Sequence, residues 1–315
     1  MHGLHTATLE LLPCGLLRVV VPTIINWTPG QHVFVRFLTS DLHLLSAHPF
    51  TISSTCHNPD KTGKASEIIF YIKPRRGVTA RLAALAAKQP GISKKILMEG
   101  PYGGVSPHHM SQFDTLLVIA GGSGGGFSLA MVDEALRLTE KPKPGQGRRN
   151  LQVVFSTRDV AMADWYTEEI EARLSKSTML SINDNSEGFD TSVSVHVTAN
   201  PACHPSNDSA ISFTLPDADN PPEKKMPRPD ITTTGSFSLN VHRSIRPDIP
   251  GLIARSVASA HTQGVHAGKK QRIGVLVCGP ASMLHDTRNA AALAQTRTLG
   301  GEVEELYLHS EPFAW

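Results

Sequence analysis

At about 150 residues per domain, a chain of 315 residues is expected to form two packed domains. Apolar residues make up 40% and aromatics 6%, with 25 Gly and 22 Pro, which describes a globular protein rich in loops. Thirty basic residues against 28 acidic ones give a net charge of +2, too balanced for a nucleic-acid footprint, so DNA and RNA are excluded as expected partners.

The first residues, MHGLHTATLELLPCG, lack a basic segment followed by an apolar one, so a secretory signal is not expected. TATLELL alternates as a strand, LLRVVVP follows after Cys14-Gly15, and HVFVRFL alternates again after the turn Thr28-Pro29-Gly30. SEIIFYIKP and KKILMEGPYGG complete the set, and the helix ARLAALAAK, stopped by Pro90-Gly91, interrupts it. These elements predict a small antiparallel β-barrel over residues 1–106.

From residue 107 the pattern changes. A buried strand TLLVIA leads into the glycine run GGSGGG, an apolar-faced helix FSLAMVDEALRLTE and a second strand LQVVFSTRD, which is a βαβ unit. ADWYTEEIEARL, IPGLIARSVASA and ASMLHDTRNAAALAQ read as further helices, and SVSVHVTA, RIGVLVCG and EVEELYLH as further strands, the last left through the proline of SEPFAW. Residues 107–315 are therefore expected to be a doubly wound α/β domain. Residues 199–235 hold seven Pro and only four of Val, Ile, Leu and Phe, too little apolar surface to offset their ordering entropy, and read as a disordered insertion. The longest apolar runs, LLPCGLLRVVVP and TLLVIAGG, fall short of the roughly 18 to 20 residues of a membrane span. Four scattered cysteines, Cys14, Cys56, Cys203 and Cys278, form no CxxC pair, which argues against structural zinc, a plant-type iron–sulfur cluster or a disulfide framework and fits a reducing compartment.

Gly121, Gly122, Gly124, Gly125 and Gly126 sit where a strand turns into a helix, where free N–H groups and the positive helix end suit a phosphate. The run does not match GxGxxG, and tight strand–helix packing is the other reading. Context comes from HPFTISS at His48 to Ser54 and GPYGG at Gly100 to Gly104. With these in view the chain resembles, over nearly its whole length, the flavin- and NADPH-binding dehydrogenase module of fungal ferric-chelate reductases and NADPH oxidases, within the ferredoxin-NADP reductase-like superfamily. In that family HPFT lines the FAD, GPYG joins the domains, AGGSGxGF cradles the NADPH pyrophosphate, a CGP turn lies near the nicotinamide and the chain ends in an aromatic. Matching pieces occur here in the same order. They are His48, Pro49, Phe50 and Thr51, with Ser53 just beyond; Gly100, Pro101, Tyr102 and Gly103; Gly121, Gly122, Ser123, Gly124 and Gly126; Cys278, Gly279 and Pro280; and Trp315.

The resemblance implies FAD and NADPH as cofactors and hydride transfer from NADPH to FAD. One-electron steps follow to a membrane heme relay, in a domain or subunit outside this chain, and onward to ferric or cupric chelates. It also implies a place at the cytosolic face of a membrane. Superoxide formation from oxygen and a non-catalytic cofactor-binding subunit are the alternatives.

The residue chemistry agrees. Phe50 can wall the flavin ring or belong to the core, Thr51 can offer a hydroxyl to the reacting edge, and His48 can face phosphate or ribityl oxygens. Lys73, Arg75 and Arg76 precede Gly77 and Thr79 at a helix start, either as a second diphosphate site or as a solvated basic turn. Arg158, with Ser156 and Thr157, stands at the end of the second α/β strand, where a cation suits a ribose 2′-phosphate and favours NADPH; an ion pair with Asp159 or Glu168 is the other reading. Cys278 would give the nicotinamide close approach or be a buried strand-end thiol, and Trp315 would cover the flavin face or plug the seam. Trp165 and Tyr166 read as core, and Arg246 to Asp248 as a cofactor-facing loop. The paired His108-His109, and His242 with His261 and His266, lack metal-ligand spacing and read as loop histidines.

Overall fold

The structure is a computed structural model that describes residues 3–38, 46–56, 66–139, 149–180, 189–199 and 237–312. The proposed insertion lies, apart from Ala199, outside the described residues.

The first sheet contains β1 (Gly3–Leu11), β2 (Leu17–Thr23), β3 (Gln31–Phe37), β4 (His48–Thr51), β5 (Ser66–Ile72) and β6 (Ile92–Gly103), with helix α1 (Val78–Lys88) between the last two. Its antiparallel order is β4-β3-β6-β1-β2-β5. The edges curl toward each other just past β4, where the Ser53 N–H donates to the Ile69 carbonyl at 2.8 Å and the Ser54 hydroxyl accepts from the Ile69 N–H at 3.1 Å. Alternation explains the curl: Val19, Val21, Val33, Val35, Ile68 and Phe70 all point inward into one core that α1 plugs with Val78, Leu82 and Ala86.

A short helix α2 (Pro107–Met110) leads into the second sheet. The elements are β7 (Thr115–Gly121), α3 (Gly125–Thr139), β8 (Arg149–Thr157), α4 (Val160–Leu180), β9 (Phe189–Val197), β10 (Phe237–Arg243), α5 (Ile249–Ala267), β11 (Arg272–Gly279), α6 (Ala281–Leu299) and β12 (Glu305–Pro312). All pairings are parallel, in the order β10-β9-β8-β7-β11-β12. β7 is buried throughout and serves both faces. Leu116, Val118 and Ala120 pack with residues of α3 and α4, whereas Leu117 and Ile119 pack with α5 and α6. This is the doubly wound arrangement the sequence predicts.

Three readings change. β10 is a strand that the sequence reading omits. β12 runs on through Ser310, Glu311 and Pro312, pairing with Val277, Cys278 and Gly279, so the proline closes the strand instead of diverting it. An edge strand tolerates a proline at its end because no ladder donor is needed there. The histidines expected in loops lie in regular elements: His108 and His109 in α2, His242 on β10, and His261 and His266 in α5. Among the described residues no helix is long and apolar enough to cross a membrane.

Candidate functional site

β7 and β11 are neighbours from which the chain departs in opposite directions, so their carboxyl ends form the switch point where open α/β sheets bind ligands. The glycine run leaves β7 there as a 3-10 turn, Gly122–Gly124, and enters α3; Cys278, Gly279 and Pro280 leave β11. The two turns touch. A Cβ on Gly124 would lie 2.4 Å from the Cys278 carbonyl oxygen, and one on Gly121 would lie 2.8 Å from Pro280 Cδ, so the glycine run packs tightly against the β11 turn, with Gly122 and Ser123 the partly exposed part of the run. No side chain caps the 3-10 turn and no acidic residue occupies the first turn of α3, so the donor set fits a dinucleotide pyrophosphate. Ser156 pairs with Gly121 in register, and Arg158 follows β8, exposed. Arg158 makes no ion pair among the described residues. The Asp159 carboxylate instead accepts the Ala161 and Met162 N–H groups at 2.9 and 3.4 Å, capping α4.

On the barrel side, β4 turns His48 and Phe50 to one face and Pro49 and Thr51 to the other. The half-buried Phe50 ring sits 6.3 Å from Phe37 and 6.0 Å from Phe70, on the rim of the barrel core. His48 Nε2 is 3.1 Å from the Ser46 hydroxyl. Thr51 pairs with His32, and His32 with Tyr102, so Thr51 and the Gly100–Gly103 segment flank one strand. Tyr102 is exposed; its hydroxyl donates to Glu99 at 3.2 Å, and that bond raises the phenol above its ordinary value. The Thr79 hydroxyl donates to the Arg75 carbonyl and accepts from the Arg75 N–H, bracing the turn, while the helix start at Gly77 carries no side-chain cap. Exposed Lys73, Arg75 and Arg76 surround that start, a donor set that fits a diphosphate.

The two sides meet at Ser53. A Cβ on Gly126 would fall 2.3 Å from Ser53 Oγ, so only glycine lets the first turn of α3 rest on the segment that follows HPFT. The structure thus brings Ser53, Gly121, Gly124, Gly126, Cys278 and Pro280 together; the Lys73–Thr79 turn lies further along the barrel. Trp315 lies outside the described residues. The sequence reading misses Glu311, which stands beside Cys278 in the pairing of β12 with β11, and His309, which bonds to Glu311 at 2.9 Å and stacks on Phe127 at 6.1 Å. Their signal is the continuing alternation of HSEP past the apparent strand end. Burial, with the Glu311 charge, pushes the Cys278 thiol up to about 12, so it stays neutral and is no nucleophile at physiological pH. Trp165 and Tyr166 are buried in the core, as read. Among the described residues no three of His, Cys, Asp and Glu converge as metal ligands.

A curled antiparallel barrel with an uncapped basic turn, abutting a doubly wound domain with a glycine cradle at its switch point, defines a flavin- and nicotinamide-nucleotide-binding oxidoreductase module. Residues 1–106 match the FAD-binding domain family, and residues 113–292 match the ferric reductase NAD binding domain family. The chain belongs to the ferric reductase NAD binding domain family, and its cofactors are FAD and NAD(P). It is 27% identical over 312 residues to Ferric reductase transmembrane component 4 of Saccharomyces cerevisiae, covering 96% of this chain and 40% of that protein. Ferric/cupric reductase transmembrane component 1 of Candida albicans is 25% identical over 329 residues, covering 99% of this chain and 37% of that protein. The chain therefore spans about two fifths of the length of these relatives. Among solved structures, a ferredoxin NADP+ reductase from Neisseria gonorrhoeae with bound FAD and NADP superposes with a TM-score of 0.55 at 12% identity, covering 99% of this chain and 98% of that one. A flavohemoglobin from Malassezia yamatoensis gives 0.52 at 13%, covering 98% and 60%. The fold is thus that of ferredoxin-NADP reductases.

Proposed function

We propose that this chain is the dehydrogenase module of a ferric- or cupric-chelate reductase, taking electrons from NADPH through FAD to a heme-bearing membrane domain or subunit outside the chain, at the cytosolic face of a membrane. The observation that carries this reading is the meeting, at Ser53, of the segment following HPFT with the glycine run that packs on the Cys278 turn. The relatives' names, as transmembrane ferric and cupric reductase components, support the acceptor and the location. In this reading residues 1–106 hold FAD and residues 107–315 hold NADPH.

The flavin, when bound, supplies the conversion of a two-electron hydride into single-electron steps. The chain supplies alignment. Phe50 walls the ring, Thr51 offers its hydroxyl to the reacting edge, and His48 faces the ribityl or phosphate oxygens. Lys73, Gly77 and Thr79 hold the FAD diphosphate through charge and helix N–H groups, and Gly100, Pro101, Tyr102 and Gly103 shape the joint beside them. Gly121, Gly122, Ser123, Gly124 and Gly126 receive the NADPH pyrophosphate, with Ser156 and Arg158 at the adenosine ribose. Cys278, Gly279 and Pro280 form the nicotinamide wall, where a small neutral thiol allows close approach.

Purified protein is expected to be yellow and to bleach with NADPH under anaerobic conditions; retained flavin that NADPH leaves oxidised would refute the activity. The double substitution His48→Ala with Thr51→Ala is expected to fold and release FAD, since each lost contact costs about 1 to 3 kcal/mol. Flavin absorbance after gel filtration checks this, and full occupancy would move the flavin site elsewhere.

A further inference from the structure

The domains share more than a boundary. Tyr71, on β5 of the barrel, is buried among the side chains of the α/β domain. Its ring meets Trp165 of α4 edge-on, with centroids 4.9 Å apart and planes at 62°. The positive charge of Arg173, on the same helix, acts on the Tyr71 hydroxyl. The guanidinium also donates from Nε to Asp133 on α3 at 3.1 Å and from an Nη to Glu169 at 2.5 Å. Among the described residues the buried Trp165 indole N–H has no partner, so the ring is held there by its packing and not by its polar edge.

Both helices reached by this cluster matter at the site. α3 begins at the glycine cradle, and its first turn rests on the barrel: a Cβ on Gly126 would lie 3.2 Å from Tyr71 Cδ2 as well as against Ser53. β5 runs directly from Tyr71 into the basic turn at Lys73 to Arg76. One side chain therefore links the strand leading to the FAD diphosphate turn with the helix leading from the nucleotide cradle. Burial alone would lower Arg173, but the Asp133 and Glu169 carboxylates outweigh it and hold the guanidinium charged.

We propose that Tyr71, Trp165 and Arg173 are positioning residues that set how the nicotinamide lies against the flavin. This rests on the seam being the hydride-transfer site. With the two reactants carried on different domains, their separation and tilt follow from how the domains are docked, and a displacement of about 1 Å at a reacting pair can cost on the order of 100-fold in rate. The edge-to-face ring contact fixes the rotation, and Arg173, bonded to Glu169 on its own helix and to Asp133 on α3, ties the helix that carries Trp165 to the helix that leaves the glycine cradle.

Tyr71→Leu stays apolar but removes the ring that meets Trp165; Trp165→Phe keeps an aromatic but offers Tyr71 a smaller face. Both are compared with the parent in the full chain carrying FAD. FAD content and NADPH Kd are expected to stay within about twofold, while hydride transfer in anaerobic stopped flow slows about tenfold in each and the long-wavelength absorbance of the nicotinamide–flavin stack weakens. In the flavin-free protein, amide hydrogen exchange over residues 66–72 and 125–139 is expected to quicken. A lower Tm with unchanged transfer rate and unchanged stacking absorbance overturns the positioning role and leaves a purely structural one. A parent protein that NADPH does not bleach overturns the hydride-transfer reading, and the positioning role with it.

Discussion

Gly124→Val is expected to abolish measurable NADPH binding while leaving the barrel able to hold FAD. The two atoms nearest a new Cβ, at 2.4 and 3.0 Å, are the carbonyl oxygen and carbon of Cys278, and the next, at 3.1 Å, is its sulfur. The two closest are backbone atoms, which cannot swing aside as a side chain can. They belong to β11, an inner strand buried along nearly its whole length and paired on both sides. The strain must therefore be relieved by the glycine turn lifting away from the sheet, which takes with it the N–H groups that would face a pyrophosphate. Overpacking of this kind costs about 1 to 3 kcal/mol in stability, and a cradle displaced by even half that contact loses its charge-assisted bonds as well. Gly124→Ala should act in the same direction more weakly. Calorimetric titration with NADPH and a melting curve for each variant provide the check. A valine variant with parental NADPH affinity would show that the turn does not form the pyrophosphate site.

Arg158→Ala is expected to lower kcat/KM for NADPH at least tenfold while leaving NADH nearly unchanged. The guanidinium is exposed, and the neighbouring Asp159 is committed to the first turn of α4, so nothing else among the described residues claims it. A charged hydrogen bond to a 2′-phosphate contributes about 1.5 to 3 kcal/mol, and the bidentate geometry of arginine makes Arg158→Lys an incomplete replacement. NADH lacks the group being gripped. Because the side chain is solvent-facing, the preference should also shrink as salt rises. Steady-state kinetics with both nucleotides at two ionic strengths test this; equal losses for the two would make Arg158 a general electrostatic or structural residue.

The elements that carry binding motifs were legible because their chemistry is local. A glycine run between a buried strand and an apolar-faced helix announces a strand-to-helix turn, and its neighbours in sequence are its neighbours in space. The strands of the barrel were legible for the same reason, through alternation. β10 was not, because it emerges from a proline-rich stretch and lies at the sheet edge, where Leu239 alone is fully buried and Val241 is 37% exposed. Half its residues look like the loop before it. The end of β12 was hidden by Pro312, a residue that usually argues against a strand and is harmless only because β12 is an edge. Cys278 carried a signal through its CGP turn, but Glu311 acquires its meaning only from the register of two strands whose order sequence does not give. Tyr71 and Arg173 are the extreme case. Each reads as an ordinary strand or helix residue, and the Glu169–Arg173 spacing suggests no more than a surface pair.

The assignment of Cys14, Leu16, Tyr71 and Val105 to the same apolar cluster as Phe127, Val153 and Trp165 has a consequence for how the chain behaves as a material object. Unfolding either half would expose apolar surface packed against the other, so the stabilities of the two halves are coupled through this shared cluster. A barrel cut out at residue 106 would carry part of that cluster as a sticky wall, with the aggregation hazard such surfaces bring. The two halves belong to different sequence families, yet they share packed surface. A destabilising substitution among the residues of α3 or α4 that pack against Tyr71 is therefore felt in part at the barrel as well.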